Sequence, residues 1–288
     1  MTKLSIIRKI KATVFALAII ALPAFSQSEK ELYIYHTNDT HSRIEPFGNE
    51  YQDTLMAGKA GTVRRATFMK QQRKEHKDLL MLDAGDFSQG TPYYNMYKGE
   101  VEVKMMNAIG YDAATIGNHE FDFGLDNMAR LFKMANFPIV CSNYDVTGTV
   151  LEGLVKDYIV LKKDGVKVGI FGLGAQLEGL VATHCYGNVK FKDPVSEAQR
   201  VANFLRNNEH CDVVICLSHL GCRTDSHYSD IELIENTNNI DVVIGGHSHT
   251  YFTEPKFIKN LDGEEVPMQQ MGKNGAFVGK IILKLTKN

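Results

Sequence analysis

Five short apolar runs in this chain each end on residue types that bind metal ions. Leu32-Tyr-Ile-Tyr-His-Thr-Asn38 leads into Asp39-Thr-His41. Leu79-Leu-Met-Leu-Asp-Ala-Gly85 leads into Asp86, and Ala113-Ala-Thr-Ile-Gly117 leads into Asn118-His119-Glu120-Phe121-Asp122. Val213-Val-Ile-Cys-Leu-Ser218 delivers His219, and Asp241-Val-Val-Ile-Gly-Gly246 delivers His247-Ser-His249. Apolar runs of this length, bounded by Gly and polar turn residues, read as buried strands. In open α/β sheets ligands bind beyond the carboxyl ends of the strands, so five such ends would share one rim.

Between these runs the periodicity changes to that of helices. Strands are predicted over Leu32–His36, Leu79–Leu82, Ala113–Ile116, Ile139–Ser142, Val213–Leu217 and Val242–Ile244. Helices are predicted over Thr62–His76 (basic on its outer face), Val101–Ile109, Leu125–Ala135, Val195–Asn207 and Ile231–Glu235. Tyr158–Lys162 and Lys167–Gly172 flank Asp164-Gly165, a hairpin signal. Phe277–Leu285 returns to strand character and is expected to form a hairpin with Met268–Met271. The pattern is α/β with an added β-hairpin component, without internal repeats or linkers, and fits one domain over residues 27–288.

Residues 1–26 read as a signal peptide. Lys3, Arg8, Lys9 and Lys11 form a basic head, and Ala12 to Ala24 is largely apolar. Ala24 and Ser26 supply the small-x-small cleavage pattern. The alternative is a retained membrane anchor; no Cys follows the run to carry a lipid. The expectation is an exported, periplasmic or secreted protein without a stable membrane anchor. Cleavage removes four basic residues and no acidic one, so 32 Lys and Arg become 28 against 34 Asp and Glu, a net charge of −6. Such a chain has no global field to hold long nucleic acid, and a phosphate ligand must be attracted locally. The five cysteines form no CxxC and are expected to be structural, with at least one unpaired.

Taken singly, the polar clusters differ in what they specify. Asp39-x-His41 is a common pattern, although in an extended segment both side chains would leave on one face. Gly85-Asp86 could be a strand exit, yet a carboxylate there could bridge two cations. In Gly117-Asn118-His119-Glu120 the Gly would permit a sharp turn and Asn a neutral oxygen ligand; the plain alternative is a helix start, with Asp122 and Asp126 in its first turn. Gly245-Gly246-His247-Ser-His249 is harder to explain structurally. Five of the ten histidines fall in these clusters, and His36, His76, His184, His210 and His227 read as structural or surface residues.

The joint order Asp-x-His, Gly-Asp, Gly-Asn-His-Glu, His, Gly-His-x-His resembles that of the calcineurin-like metallophosphoesterases. The fuller strings Tyr35-His-Thr-Asn-Asp-Thr-His41, Ala84-Gly-Asp-Phe-Ser-Gln-Gly90, Gly117-Asn-His-Glu-Phe-Asp122 and Gly245-Gly-His-Ser-His249 are similar to the catalytic domain of the 5′-nucleotidase / 2′,3′-cyclic phosphodiesterase family. The resemblance implies a four-layer α/β/β/α sandwich with two divalent metal ions. Asp39, His41 and His249 would hold one, Asn118, His219 and His247 the other, and Asp86 would bridge them. Nucleotidases of this family often carry Gln or Asn where this chain has His249. The donor set is oxygen and nitrogen without thiolate, which suits Mn, Zn, Fe or Co and argues against a structural zinc site.

By the same resemblance, a metal-bound hydroxide would attack phosphorus of a nucleoside 5′-monophosphate. His119 would stabilise the transition state or protonate the leaving oxygen, and Asp122 would orient it. Family members carry a further C-terminal domain that stacks the base. The sequence stops just after the catalytic strands, so the expectation is a separate partner polypeptide or a stand-alone enzyme with an open site. Cyclic nucleotides, sugar nucleotides and a sulfur ester are the alternative substrates. An inactive metal-dependent binding module is the alternative outside enzymes, and a polymer nuclease is disfavoured by charge.

Overall fold

The computed structural model describes residues 29–223 and 228–286. The signal peptide assigned to residues 1–26, and His227, lie outside the described residues. In chain order the first strands are β1 (Glu29–Thr37), β2 (Leu80–Asp83), β3 (Ala113–Ala114), β4 (Ile139–Val140), β5 (Tyr144–Asp145), β6 (Val155–Lys156) and β7 (Tyr158–Lys163). They are followed by β8 (Val166–Leu173), β9 (Lys190–Phe191), β10 (Val213–Ser218), β11 (Val242–Gly245), β12 (Lys256–Lys259), β13 (Glu265–Gln269) and β14 (Gly279–Thr286). The helices are α1 (Thr62–Glu75), α2 (Pro92–Tyr97), α3 (Glu100–Ile109), α4 (Gly124–Met134), α5 (Thr183–Tyr186), α6 (Pro194–Asn207) and α7 (Asp230–Glu235).

Two six-stranded sheets form the centre, in the orders β14-β1-β2-β3-β4-β6 and β12-β13-β11-β10-β8-β7. The first is parallel except for β14, and the second is parallel except for its edge strands β7 and β12. Strand alternation explains the layering. In β1, Leu32 and Ile34 join Leu80, Leu82, Ile170, Ile215 and Ile244 in a core between the sheets, while Tyr35 faces the other way into a core with Met69 of α1, Val103 of α3 and Leu131 of α4. A third core packs α6 and α7 against the outer face of the second sheet through Val201, Leu205, Leu233 and Val243. The result is the four-layer α/β/β/α sandwich.

The tail departs from expectation. β14 makes no hairpin with the Met268–Met271 run; it pairs antiparallel with β1, setting Ile281 opposite Ile34 and Leu283 opposite Leu32. β13 instead lies between β11 and β12 in the other sheet. The connecting residues are occupied elsewhere: Asn38 Nδ2 donates to Gly272 O at 2.8 Å, and Asn274 N donates to Asp39 O at 2.7 Å. Pairing with β1 lets β14 bury Ile281 and Leu283 between the sheets, an outcome that local pattern does not encode. In α1 the basic face has one exception: Arg65 points inward and is buried. Among the described residues no helix is long and apolar enough to cross a membrane, and all five cysteines are free.

Candidate metal centre

The loops after β1, β2 and β3 of one sheet and after β10 and β11 of the other bring the predicted residues to a common edge. Asp39, His41 and His249 place one ligand-type atom each within 4.8 Å of one another, and Asp86, His219 and His247 do the same. His41 Nε2 lies 2.9 Å from His249 Nε2, and Asp39 Oδ1 is 3.4 Å from His249 Nε2. His219 Nε2 is 3.1 Å from Asp86 Oδ2. The two groups adjoin: the His247 backbone N–H donates to both Asp39 oxygens, at 3.1 and 3.0 Å. The structure places Asp86 in the second group, and Asn118 follows Gly117, which packs against Asp86.

The backbone pays a conformational penalty at these residues. Asp39, His41, Asp86, His247 and His249 all have positive φ, between 44° and 69°. Non-glycine residues adopt this left-handed region rarely, at a cost of about 1–3 kcal/mol each, and such strain concentrates at functional sites. Asp39 and His41 therefore share a site through a left-handed loop and not through extended alternation. The expectation of a glycine-enabled turn also shifts. Gly117 is outside the left-handed region; what its missing Cβ provides is room, since a Cβ there would fall 2.2 Å from Asp86 Oδ1. Gly246 is similar: a Cβ would meet Ala84 O and His219 Nδ1, both at 2.8 Å.

Hydrogen bonds orient the imidazoles. His219 Nδ1 sits 2.7 Å from Ala84 O and His41 Nδ1 3.3 Å from Ser88 O, so each carbonyl accepts an Nδ1–H; this fixes Nε2 of His41 as a lone pair and aims Nε2 of His219 at Asp86. Burial pushes the pKa of His41 down and, reinforced by the neighbouring His219, takes His247 down to about 4. Both are then neutral donors at physiological pH. Burial works against charge on His219 as well, but the adjacent Asp86 carboxylate overrides it and lifts the imidazole to about 10. That excess proton compensates a buried carboxylate, a task a cation can take over. Asn118 Oδ1 is buried without a hydrogen-bond partner, and His219 Nε2 faces the Asp86 carboxylate. An orphaned buried acceptor is rare and costly, and this one fits a bound divalent ion, as does the oxygen-and-nitrogen donor set.

His119 and Asp122 stand beside the groups. The His119 ring lies 5.5 Å from that of His41, and its Nδ1 is 3.1 Å from Asp122 Oδ2. Burial disfavours the imidazolium, but the Asp122 hydrogen bond and the Asp86 charge outweigh it and raise the His119 pKa.

Several residues that organise the site were not singled out from sequence. Asn38 donates to Asp39 Oδ2 at 2.6 Å and accepts from Met271 N at 2.8 Å. Gln270 donates to Gly246 O at 2.6 Å and accepts from Thr250 N at 2.5 Å, bracing the His247–His249 loop. Asp83 accepts from Thr37 Oγ1 at 2.6 Å and Gly85 N at 3.0 Å. Glu120 is 1% exposed and accepts three backbone N–H bonds. The available signal was a polar residue inside a buried apolar run (Asp83) or inside a ligand motif (Glu120).

Comparison with known proteins shows the family. Residues 32–251 match the calcineurin-like phosphoesterase family model. A snake venom 5′-nucleotidase from Gloydius brevicauda is 35% identical over 273 residues, covering 86% of this chain and 44% of that protein. Bovine (Bos taurus) 5′-nucleotidase is 32% identical, covering 92% of this chain and 49% of its own length. The solved NAD nucleotidase of Haemophilus influenzae superposes with a TM-score of 0.80 at 29% identity, over 90% of this chain and 54% of that one. The chain thus spans about half the length of the curated relatives it matches.

Proposed function

We propose that this chain, which belongs to the calcineurin-like phosphoesterase family, hydrolyses nucleoside 5′-monophosphates to nucleoside and phosphate at a two-metal centre. The observation that carries the reading is the pair of adjoining ligand groups, Asp39-His41-His249 and Asp86-His219-His247, converging from both sheets. In the proposal Asn118 would complete the second group, and Asp86 would serve both ions. Two divalent cations held there would neutralise phosphoryl charge and lower the pKa of the attacking water.

The remaining work falls to the protein. His41 and His219 present fixed Nε2 atoms because Ser88 O and Ala84 O hold their Nδ1–H. His119 is partly exposed and carries a raised pKa, so it enters the reaction as a proton donor to the leaving oxygen or as a positive partner of the phosphoryl group. Asp122 holds His119 through Nδ1 and directs Nε2 outward. Export with signal cleavage after Ser26 belongs to the same proposal.

The nucleotide preference rests on the similarity to named 5′-nucleotidases. Its test is phosphate release from AMP, a 2′,3′-cyclic nucleotide, a sugar nucleotide and p-nitrophenyl phosphate, with His119→Asn as control. Release from AMP that the control lacks supports the reading. Turnover of the cyclic or sugar nucleotide in preference to AMP reassigns the substrate. Turnover of p-nitrophenyl phosphate alone points to recognition by a partner.

A further inference from the structure

We propose that Glu120 is the positioning residue that holds Asp86 in its ligand geometry, a role that rests on the two-metal reading above. Glu120 lies in the short 3₁₀ turn His119–Phe121, one residue past His119, with its side chain turned inward away from the ligand groups' open face. Its Oε2 accepts from Gly117 N at 2.7 Å and from Asp86 N at 3.0 Å, and its Oε1 accepts from Ser88 N at 3.0 Å. One carboxylate therefore ties the loop after β2 to the loop after β3.

The two loops need such a tie. Asp86 has a φ of 55°, a conformation that an aspartate leaves readily unless its backbone is held on both sides. Glu120 holds it on both sides, at the N–H of Asp86 itself and at that of Ser88. The same Ser88 supplies the carbonyl that orients His41. On the other loop, Gly117 must stay close to Asp86, and the His119 N–H donates to Asp86 Oδ1 at 2.9 Å. The backbone bond from Gly117 to Glu120 keeps that loop in place. Asp86, Ser88 and Gly117 thus depend on one side chain that belongs to neither ligand group.

A carboxylate is the group that fits. It offers acceptors only and can receive three N–H bonds, whereas an amide of the same shape turns an N–H₂ toward at least one of those donors. Glu120→Gln is therefore expected to release one of the loops with little change in volume. Glu120→Asp keeps the charge but shortens the reach by one methylene. Asn143→Ala is the control for general destabilisation. It removes a buried amide whose Oδ1 and Nδ2 bond Gly174 N and O, both at 2.8 Å, outside the ligand groups.

The experiment titrates Mn²⁺ into chelator-stripped wild type and the three variants by calorimetry, and then measures kcat and KM on p-nitrophenyl phosphate. The expected result is two ions in wild type and in Asn143→Ala with similar Kd. Glu120→Gln and Glu120→Asp should each weaken at least one ion tenfold or more, with kcat falling more than KM rises at saturating Mn²⁺. Wild-type affinity for both ions in the Glu120 variants overturns the inference while leaving the metal centre standing. An equal loss in Asn143→Ala, or Glu120 variants that do not fold when Asn143→Ala does, makes Glu120 a general structural residue and also overturns it. Failure of the wild type to bind two ions is the separate result that removes the two-metal reading itself.

Discussion

Replacing Gly117 with alanine isolates the role of close packing at the candidate centre. Gly117 is outside the left-handed region, so alanine meets no backbone objection. The obstacle is a single methyl group: its carbon would lie 2.2 Å from Asp86 Oδ1 and 2.5 Å from Asp86 N. Both distances are far inside van der Waals contact, and one of the two atoms is backbone. With no cation bound, the Asp86 side chain can swing aside and relieve part of the clash. With cations bound it cannot, because the carboxylate must return to its ligand position. Overpacking of this kind costs about 1–3 kcal/mol, which corresponds to roughly a 5- to 150-fold rise in the metal Kd. The assay is calorimetric titration of Mn²⁺ into the stripped variant, alongside its melting temperature without metal. A Kd within twofold of wild type would refute the reasoning, because it would mean that the loops part without disturbing the centre.

The other predictions address separate parts of the molecule. His119→Asn should lower turnover strongly while metal content by elemental analysis stays near that of wild type; a parallel loss of metal would remove its assigned role. Chelator treatment should lower the melting temperature and Mn²⁺ should restore it, by about 2.7 kcal/mol of stability for each ion bound at a free concentration a hundred times its Kd. His36, which is in neither ligand group, gives a pH-dependent stability effect. Burial takes its pKa from 6.5 down to about 4, with Gln269 Oε1 3.0 Å from Nε2 partly offsetting that fall. Its neutral form is the native one, so the stability it permits is intact above pH 6.5 and is lost as pH falls through that value toward 4. The loss is on the order of 3 kcal/mol. Denaturant unfolding of the stripped protein between pH 7 and 4 should be steeper in pH than that of His36→Gln, and parallel profiles would contradict the assignment.

Much of the fold was legible because apolar runs and helical periodicity are local properties. The strands leading to Asp39, Asp86, Asn118, His219 and His247 lie where alternation and turn residues placed them, within a few residues at each end. The split of those strands between two sheets was not visible in the runs themselves, which look alike whichever sheet they join. The β14–β1 pairing was missed for the related reason that its partners are separated by almost the whole chain. α2 was missed because Pro92-Tyr-Tyr-Asn-Met-Tyr97 is short and lacks an apolar stripe. At the site, residue types pointed to the candidate ligands, but the left-handed backbone at five of them and the bracing by Asn38, Gln270 and Glu120 depend on contacts between distant loops. Gly117 shows the difference in kind: a motif marks the glycine, and only the three-dimensional arrangement tells that it makes room for Asp86.

The most direct test of the central claim is the metal content of Asp86→Asn. Wild type and variant would be loaded with Mn²⁺, passed through a desalting column, and analysed for ions per chain. An amide in place of the carboxylate removes the charge that sits against His219 and, in the proposed centre, spans both ions. The account predicts two ions in wild type, a clear loss in Asp86→Asn, and loss of phosphate release with it. Full retention of both ions by the variant would contradict it.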